Sequence, residues 1–151
     1  MTMTIEINNE SDIEVESERL LAMLRHHFSH LRISNRADLS VLFINEEPME
    51  DLHLKWMDEP GPTDVLSFPM DELRPGNTEA EGLLGDIVIC PQVARLQADA
   101  AGHSETDEIF LLATHGLLHL LGFDHAEPEE EAEMFGLQRE LLDSYQAEEL
   151  S

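Results

Sequence analysis

Hydrophobic residues recur along this chain at two spacings, one typical of strands and one typical of helices. Alternation with polar residues, or a short apolar run bounded by proline or glycine, predicts a strand. Four segments show this pattern: Met3 to Ile7, Leu39 to Ile44, Val65 to Phe68, and Leu83 to Cys90.

Hydrophobic positions three or four residues apart predict five helices. They cover about Glu16 to Leu31, Met49 to Met57, Pro91 to Ala101, Ser104 to Leu121, and a C-terminal helix that begins at Pro128. Ser104 suits the N-cap of the fourth helix, and Gly102 suits the end of the third. Because the helices cluster toward the C-terminal end, this order favours one α+β domain over residues 1–151, with a mixed four-stranded sheet.

The composition is that of a soluble globular protein. Of 151 residues, 42% are hydrophobic and 27% are charged, which argues against a disordered, collagen-like or disulfide-rich chain. The longest apolar run, Ile109 to Ala113, is far shorter than the roughly 18 residues of a membrane span. The first residues lack a basic, apolar leader and Cys90 has no intrachain partner, so we expect a cytoplasmic location and no membrane segment.

Charge is the most unusual bulk property. Eight Lys and Arg against 33 Asp and Glu give a net charge of −25, so long-range attraction to nucleic acid is not expected. Half of the basic residues lie in the first quarter of the chain: Arg19, Arg25, Arg32 and Arg36. They form either a solvated helix face or a local phosphate-binding face.

Three histidines carry the strongest chemical signal. The predicted fourth helix is apolar on nearly every face, and His115 and His119 interrupt it at a spacing that places both rings on one face. Gly122 is expected to end the helix in a left-handed conformation, and His125 follows three residues later. Imidazoles in an apolar helix need polar partners, and three that converge suit a zinc ion with an open fourth position.

The open position favours a catalytic zinc site over a structural one. A structural site is closed by four ligands, usually with several cysteines, whereas this chain has only Cys90. Three ligands leave room for a water molecule whose pKa zinc lowers towards about 7.

Two acidic residues are further candidates for this site. Asp124, beside His125, either orients a ligand or caps the turn. Asp86 interrupts an apolar strand and is either a site carboxylate or part of a β-bulge or turn next to Gly85.

The spacing H-x-x-x-H-x-x-G-x-x-H is also that of extended zinc-peptidase motifs. In those enzymes a glutamate directly after the first histidine acts as the general base. Here that position is Gly116, so hydrolysis of a bond other than a peptide is the better interpretation.

The string HGLLHLLGFDH at residues 115–125 resembles the signature H-G-x-x-H-x-x-G-[YF]-D-H of the YbeY family of bacterial metal-dependent endoribonucleases. The blocks PTDVLSFP at 62–69 and LGDI at 84–87 also resemble that family. The resemblance implies one α+β domain with a zincin-like helix, one zinc ion on His115, His119 and His125, and cleavage of single-stranded RNA. It further implies a role in 16S ribosomal RNA 3′-end maturation and in ribosome quality control, with the ribosome or ribosomal proteins as partners.

The sequence departs from the family pattern at one place. The family usually has an arginine on the wall of the site, a few residues before the TDVLSF block. The only basic residue in that stretch here is Lys55, which can act as a point charge towards a phosphate but lacks the bidentate fork of arginine.

Three hypotheses therefore follow from the sequence. The leading one is a zinc-dependent single-strand endoribonuclease, in which Lys55 or an N-terminal arginine offsets phosphate charge while Asp86 or Asp124 orients ligands or water. The second is a metallopeptidase or other small-substrate zinc hydrolase. The third is a non-catalytic ribosome-assembly factor that keeps zinc for folding.

Overall fold

The computed structural model describes residues 4–78 and 81–151. Nine elements follow one another along these residues: β1 (Thr4–Asn9), α1 (Ser17–His30), β2 (Arg36–Phe43), α2 (Glu46–Met57), β3 (Val65–Pro69), β4 (Glu81–Ile89), α3 (Pro91–Ala101), α4 (Glu105–Leu120) and α5 (Pro128–Leu150). Met3, which the sequence pattern assigns to the first strand, lies outside the described residues. Within the described ranges, no helix has both the length and the apolar character that crossing a membrane requires.

The four strands form one mixed sheet in the order β1-β2-β4-β3. Strand β2 runs parallel to both β1 and β4, and β3 runs antiparallel to β4 at the edge of the sheet. The prediction of an α+β domain with a mixed four-stranded sheet is confirmed.

Two elements begin three residues earlier than the hydrophobic pattern predicts. Helix α2 starts at Glu46 rather than Met49, because Pro48 is tolerated in a first helical turn, where its missing N–H has no partner to lose. Strand β2 starts at Arg36 rather than Leu39, and its alternate residues are buried from Ala37 onward. The first residue of each element, Arg36 or Glu46, is polar, so a hydrophobic pattern alone does not include it.

The sheet has a main core on one face. Helices α1, α4 and α5 contribute to this cluster, which includes Phe28, Leu117 and Met134 together with Ile87 and Ile89 of the central strand β4. Each fully buried side chain of this kind stabilises the fold by roughly 1.5–3 kcal/mol. Because α4 contacts both β3 and β4, its position is set by the sheet.

A smaller apolar cluster covers the other face. It joins Met49 of α2 to Leu66 of β3 and Val88 of β4. Side chains alternate between the two faces of a strand, so β4 faces α4 through Ile87 and the α2 cluster through Val88.

A chain of hydrogen bonds ties α4 to α1 and α5. The Thr114 hydroxyl donates to the Phe110 carbonyl, at 2.8 Å, so it accepts from His27 Nε2–H, at 2.9 Å. His27 Nδ1 then accepts from His26 Nδ1–H, at 2.8 Å, and His26 Nε2 accepts from the Ser144 hydroxyl, at 3.0 Å. Both rings, His26 and His27, are neutral because burial lowers the pKa of each, so each ring uses one nitrogen as a donor and the other as an acceptor.

His27 gives the fold a dependence on pH. Burial lowers the pKa of His27 to about 3, whereas a histidine in an unfolded chain has a pKa near 6.5. The unfolded chain therefore binds this proton first as the pH falls. The stability that neutral His27 contributes is complete above about pH 6.5 and is lost progressively towards pH 3.

We predict that His27→Gln flattens the pH dependence of stability. Urea unfolding of the wild type at about pH 7, 6 and 5 should show a free energy of unfolding that falls as the pH falls. The His27→Gln variant should be less stable at about pH 7 but should lose less free energy over the same range. Parallel losses in the two proteins would contradict a neutral, buried His27.

Candidate metal centre

Three histidines converge at the C-terminal end of α4. His115 and His119 lie on its last two turns, and His125 lies in the segment that follows. One ligand atom from each ring can be chosen so that all three atoms lie within 4.8 Å of one another. No other group of three histidine, cysteine, aspartate or glutamate side chains within residues 4–78 and 81–151 meets this criterion.

The turn after α4 carries the third histidine back to the other two. Gly122 has a φ of 97°, the left-handed conformation expected from the sequence. The Phe123 N–H donates to the Leu118 carbonyl at 3.0 Å, which is the closing bond of a Schellman C-cap. Asp124 Oδ1 accepts from the His125 backbone N–H at 2.7 Å. Asp124 therefore stabilises the turn that presents His125.

Hydrogen bonds fix which nitrogen of each helical histidine is available. His115 Nδ1–H donates to Gln138 Oε1, and His119 Nδ1–H donates to the Phe123 carbonyl, both at 3.0 Å. Each Nε2 is therefore left with a lone pair. These two nitrogens lie only 3.0 Å apart, where two lone pairs repel unless a cation lies between them.

The donor set fits a zinc ion. Zinc–nitrogen bonds of about 2.0–2.1 Å in a tetrahedral site place two ligand nitrogens roughly 3.3 Å apart, close to the separation of His115 and His119 Nε2. Burial lowers the pKa of both histidines, so both rings are neutral and able to bind a metal at neutral pH. Gln138 and the Phe123 carbonyl hold these rings as outer partners commonly hold metal-binding histidines.

A cavity of about 600 Å³ opens beside the histidines. It lies between the edge strand β3, helix α4 and helix α5, and Met57 at the end of α2 adds to its wall. Four of its polar residues were not proposed for the site from the sequence: Asp64, Ser67, Glu108 and Gln138. The Asp64 carboxylate is held by the Val65 N–H at 2.7 Å, and its charge favours the protonated form of His115.

None of these residues had a distinct signal in the sequence, and Glu108 is one of three acidic residues in the first turn of α4, where a helix favours negative charge whatever its function. Asp64 and Ser67 belong to the PTDVLSFP block, which resembles the family as a whole without showing which of its side chains face the histidines. Gln138 occupies a helical position that also suits core packing. A polar residue at such a position is the one signal that could have identified it.

The two other candidate residues, Lys55 and Asp86, do not line the histidine cavity. Lys55 is on the last turn of α2 with its Nζ 5.3 Å from the centroid of the Trp56 ring, and among the described residues Met57 rather than Lys55 lines the cavity. Asp86 follows a register shift in β4 beside Gly85. This irregularity is the β-bulge that was one of the two interpretations of Asp86 from the sequence. Asp86 points to the same side of the sheet as Val88, away from α4 and the histidines.

The N-terminal arginines are also apart from this cavity. Arg19 is bound to Glu16 at 2.7 Å and to Glu149 at 2.7 and 2.9 Å. None of the four N-terminal arginines is among the described residues that line the histidine cavity.

A family model and the named relatives of this chain agree on one family. A family model described as Endoribonuclease YbeY matches residues 5–146. A protein named Endoribonuclease YbeY from Thermobifida fusca is 62% identical over 143 residues, covering 93% of this chain and 92% of its own length. One of the same name from an Arthrobacter species is 57% identical over 150 residues, covering 97% and 96%. The solution structure of TM1509 from Thermotoga maritima superposes with a TM-score of 0.66 at 25% identity, covering 96% of this chain and 91% of that one.

We predict that His119→Ala abolishes tight metal binding. His119 is the middle one of the three candidate ligands in the sequence, and two imidazoles are too few to hold zinc tightly. Elemental analysis should fall from about one metal per chain to well below about 0.2, and the melting temperature should drop by on the order of 5–10 °C. His30→Ala, which removes a histidine bonded to Glu140 on the surface, is the matched control and should keep its metal. Full occupancy in His119→Ala would rule out the three-histidine site.

We also predict that Gly116→Glu, which recreates the H-E-x-x-H pattern, fails to yield a peptidase. A Cβ at this position would lie 2.9 Å from Ile87 Cγ2 and 3.1 Å from Ser67 Oγ. The variant should lose more than about 3 kcal/mol of stability, because it overpacks the core and buries a charge.

The matched control is Gly136→Glu, since a Cβ there meets nothing within 4 Å. Its stability should stay within about 1 kcal/mol of the wild type. Urea unfolding and a casein-like substrate measure the two effects. A stable Gly116→Glu protein with robust peptide hydrolysis would favour the peptidase hypothesis.

Proposed function

Because the chain belongs to the YbeY family of endoribonucleases, we propose that it is a zinc-dependent, single-strand-specific endoribonuclease. Relatives named as endoribonucleases align with more than nine-tenths of this chain. The protein is therefore a hydrolase that acts on RNA. We further propose that it acts in 16S ribosomal RNA 3′-end maturation and in ribosome quality control, in the cytoplasm. The main observation in support of a metal site is that His115 Nε2 and His119 Nε2, each with a free lone pair, lie 3.0 Å apart.

The three histidines are the proposed zinc ligands. When bound there, zinc supplies Lewis acidity to a phosphoryl oxygen and lowers the pKa of a water molecule. Gln138 and the Phe123 carbonyl keep the His115 and His119 rings in the tautomer that presents Nε2. Asp124 is a positioning residue, since its bond to the His125 N–H stabilises the turn that presents the third ring.

Other side chains are proposed to act on the RNA. Asp64, held at Oδ1 by the Val65 N–H, places a carboxylate at the cavity where it can orient a water molecule. Lys55 lies two residues before Met57, which lines the cavity, and its long side chain can extend the ammonium group towards an approaching phosphate. No role in the cluster is proposed for Asp86, which points to the opposite face of the sheet.

The net charge of −25 supports a partner in substrate delivery. A protein that repels polyanions gains little from general electrostatic attraction to RNA. We therefore propose that the ribosome or a ribosomal protein brings the RNA to the cavity.

The decisive experiment combines metal analysis with cleavage. Zinc-loaded protein should cut an unstructured RNA, and chelator or His119→Ala should reduce the rate by at least about 100-fold, while His30→Ala should retain it. Duplex RNA of the same sequence should resist cleavage. End-group analysis of the products then distinguishes attack by water from attack by the ribose 2′-hydroxyl.

Other outcomes would support different functions. Hydrolysis of a casein-like substrate without cleavage of RNA would indicate a peptidase. Zinc-loaded protein that binds ribosomal particles but turns over no RNA would indicate a non-catalytic assembly factor. Unchanged 3′ ends of 16S ribosomal RNA in cells depleted of the protein would contradict the role in maturation.

A further inference from the structure

One exposed aromatic ring lies in the wall of the histidine cavity. Phe135, on the second turn of α5, is 40% exposed, whereas its neighbour Met134 is fully buried in the core. Among the described residues that line the cavity, Phe135 is the only phenylalanine, tyrosine or tryptophan. A single exposed apolar residue is ordinary on a protein surface, so its place beside the site is the informative feature.

The Phe135 ring is aligned with two of the histidines. Its plane is 20° from that of His115 and 17° from that of His125, with centroids 6.0 and 5.9 Å apart. The ring therefore lies roughly parallel to two of the three candidate metal ligands. A flat group bound near the metal would meet a ring that is already oriented.

The cavity itself suits a flat, largely apolar group. Its volume of about 600 Å³ falls in the range of ligand sites, roughly 300–1,000 Å³. Met57, Val65 and Leu111 give it apolar walls, and Asp64 and Ser67 add a few polar groups. This mixture fits a nucleobase, which has apolar faces and a hydrogen-bonding edge.

The net charge favours a contact of this kind. At −25 the protein cannot rely on phosphate contacts for affinity. Stacking of a base on an aromatic ring contributes about 1–3 kcal/mol, and this contribution requires no positive charge.

Resting on the proposed function, we propose that Phe135 is the stacking platform for one unpaired nucleobase of the RNA beside the histidine cluster. A base within a duplex must first leave its own stack, at a cost of a few kcal/mol. The platform therefore selects single strands. It accepts every base, because each one has a π face.

The test pairs protein variants with RNAs that lack one base. A short unstructured RNA is prepared in versions that each carry one abasic ribose near the cleavage site. With the wild type, one position should show a rise in KM of roughly five- to 150-fold, which corresponds to the loss of one stacked base. Phe135→Ala should show the same rise on intact RNA and no additional rise on that abasic RNA.

Two further variants separate stacking from support of the ligands. Phe135→Leu keeps an apolar side chain without a π face and should also raise KM. Leu96→Ala removes an apolar side chain that is 65% exposed on α3 and should behave as the wild type. Metal content and urea unfolding should be the same in all four proteins.

Three outcomes would overturn the platform. In the first, Phe135→Ala leaves KM unchanged. In the second, Phe135→Ala lowers the metal content of the protein and lowers kcat equally on intact and abasic RNA, as expected if the ring only supports the structure. The third outcome comes from fluorescence anisotropy, which measures the affinity of the wild type for RNA in the presence of chelator. Equal affinity for intact RNA and for every abasic RNA would contradict the platform. This binding measurement tests the platform even if the wild type cleaves no RNA, a result that would contradict the proposed function by itself.

Discussion

The close packing of α4 against the sheet at Gly116 sets the position of the histidine cluster. A side chain at 116 would meet Ile87 and Ser67 at once, so only glycine lets the helix lie this close to β3 and β4. The Ser67 hydroxyl also donates to the Gly116 carbonyl at 3.3 Å. Because His115 is the neighbour of Gly116, this contact directs its ring into the cavity between β3 and α5, and His119 follows one turn later.

The polar side chains of α4 find partners in different parts of the chain. Thr114 bonds to His27 of α1, His115 to Gln138 of α5, and His119 to the turn after the helix. In the described residues, no buried side-chain nitrogen or oxygen lacks a hydrogen-bond partner, and each unsatisfied group would cost roughly 1–3 kcal/mol. Rotation of α4 about its axis would break these bonds together, so a mostly apolar helix is held at one angle.

The sequence predicted the parts of this site that depend on local spacing. The ring positions of His115 and His119 follow from helical periodicity, and the left-handed Gly122 follows from its place at the helix end. The partners come from contacts between distant segments: Gln138 is 23 residues from His115, and Asp64 belongs to a different strand region. The face of Asp86 was equally hidden, because the bulge beside Gly85 shifts the alternation of β4, and a single inserted residue reverses which side chains face the core.

The acidity of the protein also bears on which RNA it cleaves. Repulsion from a net charge of −25 grows with the density of phosphates, and a duplex presents about one charge per 1.7 Å along its axis. A flexible single strand carries fewer charges per unit length and can bend away from the acidic surface outside the cavity. The repulsion therefore disfavours duplexes more than single strands. An RNA reaches the histidines only where local contacts or a partner outweigh this repulsion, so the same charge that lowers affinity for RNA in general raises selectivity for the strands that fit.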